Sequence, residues 1–219
     1  MGRLIVIEGL DGSGKGTQAA LLAETLTQRG IPVREVSFPD YESEGSALVR
    51  YYLGGGLGND PEGVNPYAAS MFFAADRYIS YRNCWKDFIA GDSAVVIANR
   101  YTTANAYHQL AKLPRERWED FLAWLWDFEF GKLGLPKPDT VISLILQPHL
   151  SQALIRKRCA ETGVKMDIHE ADEDYLQHCY DALCFVTERM GWVRLNCADG
   201  DKLYSVEEMH EKILRALGL

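Results

Sequence analysis

The residues best suited to chemistry lie near the N-terminus. Gly9, Leu10, Asp11, Gly12, Ser13, Gly14, Lys15, Gly16 and Thr17 follow directly on the apolar run Leu4, Ile5, Val6 and Ile7. Small residues at this spacing let successive backbone N–H groups turn toward one anion, and a helix starting at Lys15 adds the partial positive charge of its N-terminus. Lys15 is then within reach of the outer phosphates of a bound nucleotide. The run fits G-x-x-x-x-G-K-[ST] except at its last position, where Gly16 replaces the hydroxyl residue. A direct hydroxyl–Mg²⁺ bond is impossible there, so Thr17 or water must take that role. The bland alternative is a glycine-rich turn with no ligand. A dinucleotide fingerprint does not fit, because Gly12, Gly14 and Gly16 are spaced G-x-G-x-G.

Other candidates are distributed along the chain. Phe73 and Arg77 are spaced i, i+4 and share one helix face. A ring beside a guanidinium can stack on a base and donate to its carbonyl edge, although a core aromatic beside a surface arginine has the same spacing. Asn105 and Gln109 are one turn apart and offer amides to a pyrimidine edge, or else ordinary helix-surface polarity. Arg156, Lys157 and Arg158 with Lys165 form a basic stretch. Arg156 and Arg158, two apart, cannot share a helix face. The five histidines have no metal-ligand spacing.

An alternating strand–helix pattern must position these groups. Strands are predicted over 4–7, 33–38, 94–98, 140–146 and 192–196, of which 4–7, 94–98 and 140–146 are short apolar runs. Helices are predicted over 15–29, 46–53, from Asn65-Pro66 through 88, over 103–112, 114–130, 150–159 and 170–190, and from Ser205 onward. Asn65-Pro66 has the character of a helix start, and Ser205-Val206-Glu207-Glu208 that of a capping box. The stretch 54–63 is glycine-rich and polar, hence a loop. Alternating βα units imply a parallel sheet covered on both faces, with ligands at the carboxyl ends of its strands.

Composition limits the partners. With 219 residues, 47% hydrophobic and 25% charged, the chain is expected to be one ordinary globular domain. A net charge of −8 disfavours a nucleic-acid partner. No run approaches a membrane span, and the N-terminus leads straight into the first strand, so no signal peptide is expected. Five scattered cysteines without a C-x-x-C pair suggest free thiols in a reducing cytoplasm.

Beyond the first loop, the ordered motifs resemble the thymidylate kinase family nearly end to end. They are Ile7-Glu8-Gly9-Leu10-Asp11-Gly12, Phe38-Pro39, Phe73-Ala74-Ala75-Asp76-Arg77, Arg100-Tyr101 and Gly134-Leu135-Pro136-Lys137-Pro138-Asp139. The resemblance implies a three-layer α/β P-loop NTPase fold, with a central five-stranded parallel sheet and a small lid near 156–168. It implies Mg²⁺-dependent transfer of the ATP γ-phosphoryl group to dTMP, in a homodimer. By the same likeness, Gly9 to Thr17 hold ATP and Asp11 meets an acceptor sugar hydroxyl. Phe38, Pro39 and Tyr41 line the monophosphate site. Phe73 and Arg77 contact thymine, and Arg100 holds the acceptor phosphate, with Arg50 as a possible supplement. With Gly12 and Ser13 uncharged, the lid is expected to supply the catalytic arginine, Arg156 or Arg158.

The chain departs from the family pattern at three places. Asp40 follows Pro39 where many relatives have an arginine nearby. Asn99 precedes Arg100 where relatives carry an aspartate that orients Mg²⁺-bound water, so metal binding is expected to be weaker. His108, nine positions after Asn99, stands where relatives often have a tyrosine that guards against ribose. These departures keep two competitors open: a kinase for another nucleoside monophosphate, and a nucleotide-binding relative with little catalysis.

Overall fold

The computed structural model describes residues 2–60, 62–163 and 173–219, without the side chains of residues 158 and 162. In chain order the elements are β1 (Arg3–Gly9), α1 (Lys15–Gln28), β2 (Val33–Ser37), α2 (Ala47–Leu53), α3 (Pro66–Ser80), α4 (Lys86–Ala90), β3 (Val95–Asn99) and α5 (Thr102–Leu110). After these come α6 (Trp118–Trp126), β4 (Thr140–Ile145), α7 (Pro148–Thr162), α8 (Glu173–Met190), β5 (Val193–Asn196), the short pair β6 (Ala198–Asp199) and β7 (Lys202–Leu203), and α9 (Val206–Leu217).

Five strands form one sheet, parallel as an alternating βα sequence implies, in the order β2-β3-β1-β4-β5. The pleat divides β1 between two cores. Ile5 and Ile7 face α1 and α9 with Leu22, Ile97, Leu144 and Ile213, while Leu4 and Val6 face Phe38, Trp85, Val96 and Tyr101. A third core joins α5, α6 and α8 around Leu110, Phe121, Leu125 and Leu183. Register brings the strand ends together: Ile7 pairs with Asn99, and Asn99 also with Ser37.

Both predicted caps are present. Asn65 Oδ1 accepts from Tyr67 N at 2.9 Å, and Ser205 and Glu208 form the reciprocal capping box. The helix predicted from Asn65 through 88 is not continuous. It passes through a π turn, Tyr81–Trp85, before α4. The extra residue rotates Trp85 inward, where its ring meets Tyr81 and Tyr101 edge-on. A second π turn, Asp127–Lys132, ends the helix predicted over 114–130. The antiparallel pair β6–β7 was not expected from the sequence. The predicted lid, 156–168, lies partly on α7 and partly outside the described residues, as do Lys165 and the expected helix start at 170. Among the described residues no helix is long and apolar enough to cross a membrane.

Candidate active site

β1 delivers the glycine-rich loop to the carboxyl end of the sheet, between β3 and β4. Gly14 adopts φ 83° and carries no side chain that could cap α1, so the first N–H groups of that helix remain available to an anion. Among the described residues, a Cβ on Gly14 would meet nothing within 4 Å. Gly12 faces the other way, and a Cβ there would lie 2.9 Å from Ser151 O. Ser151, on α7, donates its hydroxyl to Asp11 O and ties the loop to that helix. Lys15 Nζ donates to Leu10 O at 2.8 Å and lies 3.3 Å from Asp11 Oδ1. Burial and then the Arg100 charge lower the Lys15 ammonium to about 8.

Arg100 connects the loop to α5. Its φ of 66° lies in the left-handed region, which β-carbons disfavour, and its N–H donates to Ile7 O at 3.1 Å. Its Nη2 donates to Asp11 Oδ1 at 2.6 Å, and its Nη1 donates to Tyr107 Oη at 2.6 Å and His108 Nε2 at 3.0 Å. Although burial opposes the charge on Asp11, Arg100 and Lys15 hold its carboxyl well below the usual range. Glu8, fully buried, takes Thr103 Oγ1 at 2.6 Å, Tyr101 N at 3.0 Å and Tyr107 Oη at 2.9 Å. It thereby holds the start of α5, which has no side-chain cap of its own. Burial raises the Glu8 carboxyl.

A second buried network joins α3 to α5. Arg77 is bound in two-pronged fashion by Glu129, Nε to Oε2 at 2.7 Å and Nη2 to Oε1 at 2.5 Å. Thr102 donates to the same carboxylate at 2.7 Å, and Asn105 Nδ2 lies 3.4 Å from Ser70 O and 3.5 Å from Glu129 Oε1. Arg77 is therefore not a surface residue but is oriented from behind by a carboxylate in the second π turn. Phe73, half-buried one turn earlier, sits edge-on to Tyr52 at 6.2 Å. Gln109 is fully buried, and neither amide atom has a hydrogen-bond partner among the described residues.

The remaining predicted residues divide into two groups. Phe38 is buried in the core against Tyr101, 6.0 Å between centroids, while Pro39 and the half-exposed Tyr41 follow it toward solvent. Asp40 N donates to Asp76 Oδ2 at 3.0 Å, which anchors this loop to α3. Arg50 Nη1 donates to Tyr41 O, Ser43 O and Ser46 Oγ, so it staples the loop. Arg156 is exposed and pairs with Glu173 across α7 and α8 at 2.6 Å. Arg158 lies on α7, with its side chain outside the described atoms.

A model of the thymidylate kinase family matches residues 7–213. The chain belongs to the thymidylate kinase family. The thymidylate kinase of Mycobacterium tuberculosis is 31% identical over 191 residues, 86% of this chain and 87% of that protein. That of Caenorhabditis elegans is 32% identical over 159 residues, 68% of this chain and 66% of its own. The probable thymidylate kinase of Thermococcus onnurineus is 29% identical over 215 residues, covering 96% and 94%.

Within this thymidylate kinase family member, the residues around Gly16 can be tested for a fit to Mg²⁺. Among the described residues no group of three or more His, Cys, Asp or Glu could hold a metal. Neutral oxygens are present instead. Asn99 Nδ2 donates to Ser37 Oγ at 3.0 Å, leaving Asn99 Oδ1 buried with no partner. Ser13 Oγ is buried without a partner too, and Thr17 is exposed at the mouth of the loop. Such a set suits a cation that keeps its waters and leans on substrate phosphates. Sequence reasoning had quoted Glu8 only as part of a motif and had missed Glu129, Ser151 and Tyr107 as site residues. The available signal was a carboxylate ending an apolar strand, and another inside the aromatic run from Trp124 to Phe130.

Proposed function

We propose that this protein transfers the γ-phosphoryl group of ATP to dTMP, giving dTDP and ADP. The observation that carries the reading is the family match over 7–213, combined with the meeting of Lys15, Asp11 and Arg100 at the open end of the glycine-rich loop. A kinase for another monophosphate, or a weakly catalytic relative, is not favoured by that match.

The chemistry is positional and electrostatic. A phosphate monoester carries about −1.5 to −2 charge at pH 7, so the attacking oxygen of dTMP needs no general base. In this reading Lys15 and the N–H groups from Gly12 to Thr17 hold the ATP phosphates. Arg100 turns from Asp11 to the acceptor phosphate, and Asp11 takes a sugar hydroxyl. Arg77, held by Glu129, donates to the pyrimidine edge while Phe73 stacks on the ring, with Asn105, His108 and Gln109 completing the base and sugar side. Arg156 or Arg158 leaves the surface to cover the transferring group. The Arg156–Glu173 pair is exposed, so breaking it costs less than about 1 kcal/mol. Thr17 and Asn99, through water, are the groups that would hold Mg²⁺. When bound, the ion neutralises charge on the phosphate oxygens.

The reading includes a homodimer, supported by exposed apolar residues on α2 and α3: Leu48, Tyr51, Met71 and Tyr78. It also includes a cytoplasmic location, supported by five free cysteines. The deciding experiment is ADP release with Mg²⁺ and ATP over dTMP, dUMP, UMP, CMP, AMP and GMP. Turnover on dTMP well above the others is expected. Preference for a different acceptor, or none with any of them, would reject the reading.

A further inference from the structure

His108 has both ring nitrogens engaged. Arg100 Nη1 lies 3.0 Å from Nε2, and Cys179 Sγ lies 3.4 Å from Nδ1. A guanidinium only donates, so Nε2 must accept. The proton of the neutral imidazole is then on Nδ1 and points at the sulfur, which reaches it from α8. Burial pushes the Cys179 thiol up, so the sulfur stays uncharged. The rest of His108 is equally constrained. Tyr175, one turn before Cys179 on α8, donates its hydroxyl to His108 O at 2.8 Å, and the imidazole centroid lies 4.5 Å from the Tyr107 ring and 6.4 Å from the Tyr175 ring.

We propose that Cys179 is a positioning residue: by accepting the His108 Nδ1–H it fixes the tautomer whose Nε2 accepts from Arg100, and so aims the guanidinium at the acceptor phosphate. This rests on the reading of Arg100 as the acceptor-phosphate arginine. Without an acceptor at position 179, the imidazole is free to move its proton to Nε2. That proton would oppose the N–H groups of Arg100, and the guanidinium would lose one of its three partners. The connection makes α8 part of the acceptor site through His108.

The test uses the full chain as wild type, Cys179→Ser and Cys179→Val. Ring ¹⁵N shifts of His108 report the tautomer, and steady-state kinetics report KM for dTMP and for ATP. The wild type is expected to carry its proton on Nδ1. Cys179→Ser retains an acceptor and should keep both the tautomer and the dTMP KM. Cys179→Val fills the space without accepting, and should raise the dTMP KM about fivefold while ATP KM is unchanged. A wild-type proton on Nε2, a normal dTMP KM in Cys179→Val, or a serine variant as impaired as the valine variant would overturn the proposal. If the valine variant loses ATP binding through misfolding, the wild-type tautomer and the serine variant decide. Arg100→Ala separates the two readings: an unchanged dTMP KM there refutes the acceptor role of Arg100, whereas the tautomer result is independent of it.

Discussion

Lys15 shows how a single residue's surroundings set a measurable pH dependence. Its ammonium, lowered to about 8 by burial and by Arg100, is charged below that pH and neutral above it. Because kcat/KM reports the free enzyme, kcat/KM for ATP should fall about tenfold per pH unit above roughly pH 8. Bound phosphates favour the ammonium, so the limb in kcat should lie at higher pH. A kcat/KM profile flat through that range would show that Lys15 keeps its charge above pH 8 in the free enzyme. Glu129 gives a second test. Glu129→Ala strands the buried Arg77 guanidinium and should cost about 3–5 kcal/mol in urea unfolding. The double variant Arg77→Met/Glu129→Leu replaces the pair with apolar volume. It should regain most of that stability while the dTMP KM stays raised by about tenfold or more, because the proposed donor to the base is gone. Recovery of the dTMP KM in the double variant would mean that the pair is structural only.

At the scale of elements, the two capped helix starts, of α3 and α9, were legible because caps are local chemistry. Asn65-Pro66 and the Ser205 box depend on residues no more than three apart, which the sequence displays directly. Ser205→Ala should cost about 1 kcal/mol by chemical denaturation and leave kcat unaltered. A change in kcat would mean that α9 acts on the site, a connection for which Gln18 Nε2 to Val206 O at 2.9 Å is the available route. The π turns were not legible. A π turn costs local hydrogen-bond geometry and persists only because the inserted residue turns Trp85 or Glu129 into the interior. That gain comes from neighbours far along the chain, Tyr101 for Trp85 and Arg77 for Glu129. The β6–β7 pair escaped notice because two-residue strands carry no periodicity.

At the scale of the molecule, the exposed apolar residues of α2 and α3 lead to a prediction about assembly. The wild type should have dimer mass in light scattering, and Leu48→Glu with Met71→Lys should move it to monomer mass. A monomeric wild type would refute the homodimer. The parallel sheet and the place of the loop at the carboxyl ends of its strands followed from sequence alone, because strands alternating with helices imply parallel βα units, whereas the strand order β2-β3-β1-β4-β5 came from the structure. The phosphate loop was equally plain, since its glycines and Lys15 are contiguous. Tertiary structure alone decided how the remaining site residues are held. Arg77 is gripped by Glu129, 52 positions away, Arg100 by Asp11, 89 positions away, and His108 by Cys179, 71 positions away. Each link joins side chains far apart in sequence, so no spacing along the chain displays the pairing, and only the fold brings them together.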